Sequence, residues 1–127
     1  MIRFYLAVGF GGAFGAMSRY ASYQIIEYWF GSAFPWATLL VNCLGSFLAA
    51  FLLGVMTGKM GGEVVFRLLL FTGFLGAYTT FSTFAVENMI LFNHALYLKF
   101  VVNVLLNTLG TISLAIAGHE SARYFIH

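Results

Sequence analysis

The sequence predicts an all-α integral membrane protein with four transmembrane helices, organised as a single domain over residues 1–127. The chain is 61% hydrophobic and only 8% charged, which is too apolar for a soluble domain of this length. A hydrocarbon core of about 30 Å needs roughly 20 helical residues to cross. The 127 residues therefore hold four crossings with short connections, and no separate soluble domain.

The first span is predicted from about Phe4 to Tyr28, and it is too long for a signal-peptide core. Gly11 and Gly15 lie four residues apart, a spacing that lets two helices pack closely. Arg19 lies near the middle of the span, where a guanidinium costs about 2.5–3.5 kcal/mol to insert. It either attracts an anion or is tied to Glu87 or to backbone carbonyls.

The second span is predicted from about Trp36 to Thr57. Pro35 precedes it, and proline is well tolerated at a helix start because its missing N–H has no helical partner there. The span carries three polar residues four positions apart, which therefore share one helix face: Thr38, Asn42 and Ser46.

The third span, about Val64 to Phe92, is longer than one crossing needs. Its middle contains two glycines followed by consecutive threonines, which weaken a helix. We expect two half-helices that meet at a break between Gly76 and Thr80. A break at membrane depth is tolerated where it is buried in protein or lines a cavity, and ions commonly occupy such places. The alternative is a kink that packing absorbs.

The fourth span is predicted from about Tyr97 to Ala117, with Gly118 as a C-terminal stop. It repeats the polar stripe of the second span, with Asn103, Asn107 and Thr111. Two such stripes predict a shared polar seam. The seam either acts as interhelical glue, worth about 0.6 kcal/mol per contact, or lines an anion pathway, since asparagine donates hydrogen bonds without carrying a charge.

The few charges suggest an orientation and exclude some functions. Four basic residues lie on the side of the termini and only Lys99 on the other, which favours cytoplasmic termini; the four are Arg3, Lys59, Arg67 and Arg123. No basic patch indicates a nucleic-acid partner. The sequence also offers no paired carboxylates, metal cluster or nucleophile–base set that would indicate an enzyme.

Three segments together resemble the Fluc (CrcB-type) fluoride channels: Gly11-Gly12 through Arg19-Tyr20, Thr38-Leu39-Leu40-Val41-Asn42 with Gly45, and Thr79-Thr80-Phe81-Ser82-Thr83-Phe84. The resemblance implies an antiparallel, dual-topology homodimer with two pores and a structural sodium ion at its centre. It also implies a multi-pass protein of the cell (inner) membrane, surrounded by lipid, that exports fluoride passively and protects against fluoride toxicity.

The resemblance also implies roles for individual residues. It places the main-chain carbonyls that bind sodium on Gly76 and Thr79. The fluoride pathway falls on the amide of Asn42, the ring edges of Phe81 and Phe84, and the hydroxyls of Ser82 and Thr83. Glu87 matches an acidic position at the pore end and Arg19 a basic one near the vestibule. Asn107 joins the pathway on stripe geometry alone.

Two other functions compete with this interpretation. A small multidrug/proton antiporter is also a short four-span homodimer, but it needs a membrane-embedded carboxylate, and the first span here offers Arg19 instead. Coupling of flux to a proton gradient would favour it. A non-transporting assembly subunit would use the polar stripes as glue alone. Absence of any flux through the purified protein would favour this second alternative.

Overall fold

A computed structural model describes residues 1–58 and 64–126, and these residues form helices joined by short turns. The helices are α1 (Ile2–Phe30), α2 (Trp36–Gly58), α3 (Val64–Arg67), a π-helix (Leu68–Leu75), α4 (Gly76–Tyr78), α5 (Ser82–Asn93) and α6 (Tyr97–Ile126). The described residues contain no β-strand, which confirms the predicted all-α class. Lys59, part of the orientation argument, lies outside the described residues.

Three segments are long and apolar enough to cross a membrane: Trp36–Met56, Val64–Asn93 and Tyr97–Phe125. Most of their apolar surface faces outward. In the segment Tyr97–Phe125, only 11% of the most apolar stretch is buried. An outward-facing apolar surface of this extent requires lipid or another protein chain around it. These three candidate spans are consistent with the predicted class of integral membrane protein.

The first predicted span corresponds to α1, which is not among these three segments. Its glycines and polar residues such as Arg19 and Gln24 lower its mean hydropathy. With 29 residues it is about 44 Å long, which exceeds the hydrocarbon thickness. It packs along the π-helix and α4, which belong to the third span. Its crossing of the membrane stays a prediction.

The glycines of α1 bring two backbones into direct contact, as their spacing predicts. A Cβ at Gly11 would clash with the carbonyl oxygen of Leu69, and one at Gly15 with that of Phe74. On the other side, a Cβ at Gly73 would lie 2.9 Å from the Cα of Gly11. The prediction of close helix packing is confirmed, and the partner of α1 is the π-helix.

The predicted end of the fourth span at Ala117 is wrong, because α6 continues to Ile126. Gly118 lies inside the helix and is buried. A Cβ there would clash with the carbonyl oxygen of Phe47, so this glycine permits close packing of α6 on α2 instead of ending the helix. The interface between α2 and α6 is the most extensive in the described structure.

The turn between α1 and α2 follows the sequence prediction. Gly31 ends α1 with φ of 75°, in the left-handed region that favours glycine. Pro35 precedes α2, and its carbonyl accepts from the N–H of Leu39 at 3.3 Å. The Nζ atom of Lys99, in α6, donates to the carbonyl of Ala33 at 3.0 Å, so the turn is tied to the start of α6.

The third span is broken where the sequence predicts, between Gly76 and Thr80. The backbone leaves the helix at Thr79, which is extended with φ of −82° and ψ of 157°, and α5 begins at Ser82. Gly76 itself is still helical, with φ of −61° and ψ of −36°, so the break lies at the threonine end of the predicted interval. The glycine-rich stretch serves packing and the π-helix, while the threonines form the break itself.

Candidate functional site

The side chain of Asn42 binds the backbone of the break. Its Oδ1 accepts from the N–H of Thr80 at 2.8 Å, and its Nδ2 donates to the carbonyl of Thr80 at 2.9 Å. Both backbone groups of Thr80 are therefore satisfied by one carboxamide. Inside an apolar bundle, backbone groups outside a helix need such partners, so Asn42 stabilises the break directly.

Two carbonyls next to the break lose their usual helical donors. In a continuous helix, the N–H groups of Thr80 and Thr83 would donate to the carbonyls of Gly76 and Thr79. Here the N–H of Thr80 donates to Asn42, and that of Thr83 donates to Oγ1 of Thr80 at 3.2 Å. The two carbonyls that the sequence suggested for sodium are thus the ones whose donors are redirected to side chains.

Main-chain carbonyls suit a hard cation such as sodium, which prefers oxygen ligands. The described residues contain no group of three or more His, Cys, Asp or Glu side chains that would provide a different kind of metal site. Gly76 is exposed and Thr79 half-buried, so both border open space. The residues present therefore fit a cation held by carbonyls, with the remaining ligands supplied from outside the chain.

The break opens on a cavity of about 570 Å³. Its lining includes six of the predicted site residues: Asn42, Gly76, Thr79, Phe81, Phe84 and Asn107. The lining also includes Ser46 and Thr111, one from each predicted polar stripe. The structure therefore brings most of the predicted site together around one space that combines amides, hydroxyls and aromatic rings.

The rings of Phe81 and Phe84 contact each other at the edge of this cavity. Their centroids lie 5.5 Å apart at an interplanar angle of 50°. Phe81 is 78% exposed and Phe84 is half-buried, so neither ring is enclosed in a core of this chain. Tilted rings present edges as well as faces, and the edge carries the positive part of the ring quadrupole.

The predicted pathway hydroxyls, those of Ser82 and Thr83, do not line the cavity that Phe81 and Phe84 border. Oγ1 of Thr80 lies 3.1 Å from Oγ1 of Thr83 and 3.4 Å from Oγ of Ser82. Oγ1 of Thr80 also accepts from the N–H of Thr83 at 3.2 Å and so satisfies one free donor at the start of α5. Thr83 lines a second cavity, of about 510 Å³, on the side of α1. Ser82 is exposed.

Arg19 and Glu87 line two separate cavities, and Glu27 borders both of them. Arg19 borders the cavity of about 510 Å³, together with Tyr23 and Thr83. Glu87 borders a smaller one of about 200 Å³ beneath the turn between α1 and α2. Within residues 1–58 and 64–126 no ion pair joins Arg19 to Glu87, so the structure does not support that form of anchoring.

The two predicted polar stripes meet at one point. Nδ2 of Asn42 lies 3.5 Å from Oδ1 of Asn107, which joins α2 to α6. The next residue of the α2 stripe, Thr38, instead bonds the hydroxyl of Tyr23 in α1 at 2.5 Å. The prediction of a shared seam is confirmed at this one pair, and the rest of the α2 stripe serves α1 and the cavity.

Behind this pair lies a row of buried asparagines. Nδ2 of Asn107 donates to the carbonyl and the Oδ1 of Asn103 at 3.0 and 2.9 Å. Nδ2 of Asn103 donates to Oδ1 of Asn88 at 2.9 Å. Sequence reasoning missed Asn88, although a polar residue within an apolar run, directly after Glu87, indicates a buried partner.

Known proteins resemble the chain over nearly its whole length. Residues 6–119 match the family model described as CrcB-like protein, Camphor Resistance (CrcB). A protein of Legionella pneumophila (strain Lens), named fluoride-specific ion channel FluC, is 48% identical over 96% of this chain and 91% of its own. A protein of Methanococcus maripaludis with the same name is 42% identical over 94% and 96%. One from Vibrio campbellii, also so named, is 39% identical over 89% of each chain.

Proposed function

Because the chain belongs to the CrcB-like family, whose curated members are named fluoride-specific ion channels, we propose that it conducts fluoride passively across the cell membrane. The observation that carries this proposal is the 48% identity to such a channel over 96% of the chain. The protein is a channel and not an enzyme, as the family indicates. The broken third span beside a polar cavity is consistent with ion passage at membrane depth.

We place the fluoride pathway along the cavity at the break. Fluoride is small and tightly hydrated, so a pore must replace its water with hydrogen-bond donors and positive ring edges. Asn42 and the edges of Phe81 and Phe84 border the cavity, and Asn107 lies directly behind Asn42. The hydroxyls of Ser82 and Thr83 extend the pathway towards Arg19, whose charge attracts anions at the vestibule, with Glu87 at the pore end.

Sodium is the structural cation of this proposal. The carbonyls of Gly76 and Thr79 would hold it, because their helical donors are redirected to side chains. A bound cation would neutralise the partial negative charge of these carbonyls and stabilise the extended backbone at Thr79. Two carbonyls from one chain leave a cation short of ligands, and a second copy would supply the same pair.

We therefore propose an antiparallel homodimer with two pores. A two-fold axis in the membrane plane brings the same break from both copies to one point, and such an interface is self-complementary. Antiparallel assembly requires insertion in both orientations, with α1 as the fourth crossing. The cavity at the break, open in a single chain, would be covered by the second copy. Fluoride then leaves the cell along the inside-negative potential.

The experiment is anion efflux from liposomes that hold the purified protein, with fluoride and chloride compared at equal pH inside and outside. Fluoride efflux that far exceeds chloride efflux supports the channel. Efflux that appears only with a proton gradient supports the antiporter. No efflux above that of empty liposomes, from protein that is folded and inserted, supports the assembly subunit and removes the proposal.

A further inference from the structure

Four asparagines connect the break to the interior of the bundle in a single directed chain of hydrogen bonds. The N–H of Thr80 donates to Asn42, whose Nδ2 faces Oδ1 of Asn107 at 3.5 Å. Asn107 donates to Asn103, and Asn103 donates to Asn88 at 2.9 Å. These hydrogen bonds lead from the break through α2 and α6 to α5. We call this row of Asn42, Asn107, Asn103 and Asn88 the asparagine relay.

The three relay members behind Asn42 are buried, and two of them, Asn88 and Asn103, have no direct access to an ion in the cavity. Asn103 is 0% exposed, and Asn88 and Asn107 are each 6% exposed. Asn88 and Asn103 are not among the residues that line the cavity at the break. Both hydrogen bonds from Nδ2 of Asn107 go to Asn103, so its outward group is a carbonyl oxygen, which repels an anion.

Asn42 is the member that keeps a donor for the ion. One N–H of its Nδ2 is held at 2.9 Å by the carbonyl of Thr80. The other is directed at Asn107 over 3.5 Å, which is long for an N–H···O bond. An anion in the cavity would be a stronger acceptor than this distant amide oxygen, since bonds to charged acceptors are shorter and stronger. The second N–H is therefore held in place yet weakly engaged.

We propose that Asn88, Asn103 and Asn107 are positioning residues that fix the carboxamide of Asn42, so that it both clasps Thr80 and presents one N–H to the permeating anion. This inference rests on the proposed function for the identity of the anion. Thr80 holds one side of the Asn42 carboxamide, and Asn107, which is fixed twice by Asn103, sets the position of the acceptor that its second N–H faces. Asn103 is in turn oriented by Asn88, because a buried amide without its partner would turn to find another.

The test uses Asn88, the relay member farthest from the cavity along the chain of hydrogen bonds. Asn88→Leu keeps a similar volume and removes the acceptor for Asn103, while Asn88→Asp keeps an acceptor oxygen in the same place. Ser22→Ala is the matched control, because it removes a comparable interhelical bond of 2.9 Å, to Tyr78, outside the relay. Fluoride flux per folded protein and its dependence on fluoride concentration are measured in liposomes.

We expect Asn88→Leu to lower the fluoride flux, or to raise the fluoride concentration that gives half-maximal flux, by roughly 2- to 30-fold. This is the range of couplings that pass through intermediate residues. Asn88→Asp should stay within about twofold of the natural protein, as one retained hydrogen bond implies, and Ser22→Ala should be unchanged. In a second arm, Asn88→Leu should add nothing to the effect of Asn42→Ser, since the relay acts through Asn42. Full additivity of the two changes would overturn the relay.

An independent readout is the NMR resonance of the Asn42 side-chain amide in asparagine-labelled protein. Asn88→Leu should shift it and Ser22→Ala should not. If Asn88→Leu fails to fold, Asn103→Ser carries the same two readouts. Natural protein that conducts no fluoride removes the proposed function, and an Asn42 resonance that still responds to Asn88→Leu would leave the relay standing. An unshifted resonance, or flux equal to that of the natural protein, contradicts the relay whatever the anion is.

Discussion

At the residue scale, a few polar side chains have partners that are unusual for a membrane helix. Asn42 bonds the backbone of Thr80 with both its amide N–H and its carbonyl oxygen, in addition to a longer contact with Asn107 of the neighbouring stripe. The sequence alone predicted its importance, from the spacing with Thr38 and Ser46, but not its partner. That partner depends on where the third span breaks, which spacing within α2 does not reveal.

The aromatic pair gives the first prediction at this scale. Phe81→Ile or Phe84→Ile keeps a similar apolar volume and removes the ring quadrupole, so it tests electrostatics more than packing. If ring edges stabilise the anion, fluoride flux per folded protein should fall by about tenfold or more, since a tenfold loss corresponds to about 1.4 kcal/mol in the barrier. Phe92→Ile, at an exposed ring outside the cavity lining, is the control. Flux like that of the natural protein from a well-folded Phe84→Ile variant would remove the rings from the mechanism.

The glycines of α1 give a prediction about stability. Gly15→Ala places a Cβ against the carbonyl of Phe74, and overpacking of this kind costs about 1–3 kcal/mol. Gly9→Ala is the matched control in the same helix, because a Cβ there meets nothing within 4 Å and alanine favours helix. Thermal unfolding in detergent should show a lower midpoint for Gly15→Ala and an equal or higher one for Gly9→Ala. Equal midpoints for both would contradict the close contact of α1 with the π-helix.

At the element scale, the helices were predictable and the details of the third span were not. Apolar runs and the position of Pro35 gave the starts of α2 and α6 correctly, because burial in lipid depends on composition over a whole turn or more. The break was predicted between Gly76 and Thr80, because two glycines followed by consecutive threonines weaken a helix. It lies at the Thr79 end of that interval, because Gly73 is used for packing against α1 and Asn42 offers Thr80 substitute hydrogen bonds.

A similar reason explains Gly118. Glycine near the end of an apolar run suggests a helix stop, but here it lets α6 approach Phe47 of α2 and the helix continues. The same residue type serves both purposes, and only the neighbouring helix distinguishes them. The sequence does not indicate which helix packs against Gly118.

The sodium ion proposed at the break can be tested by removing it. If sodium holds the carbonyls of Gly76 and Thr79, protein equilibrated in sodium-free buffer should lose its fluoride current, and sodium should restore it. The physical reason is that these carbonyls lack their helical donors and repel one another without a cation. The measurement is fluoride efflux before and after exchange of sodium for a large organic cation. Undiminished efflux after exhaustive exchange would leave the break without a metal.

At the scale of the whole molecule, the described chain leaves most of its large apolar side chains exposed, including on both sides of the break. We propose that lipid covers some of this surface and that a second copy covers the part around the cavity. The distribution of Lys and Arg residues predicts cytoplasmic termini. An antiparallel dimer requires both orientations.

The orientation prediction uses His94, which lies exposed in the turn between α5 and α6. In His94→Cys protein, an impermeant thiol reagent added to one side of sealed vesicles should modify about half of the chains, because half of them present this turn to each side. Cys43 is buried and serves as the internal background. Modification of all chains, or of none until the vesicles are opened, would contradict the antiparallel dimer.

Selective, passive conduction of fluoride can be measured as current across a planar bilayer that holds the purified protein. With a fluoride gradient, a chloride concentration that differs between the sides, and equal pH, a selective channel predicts that the current reverses at the Nernst potential of fluoride. A change in pH on one side should leave that potential in place. Reversal at the chloride potential, a reversal potential that follows the proton gradient, or no current from folded protein would contradict the account.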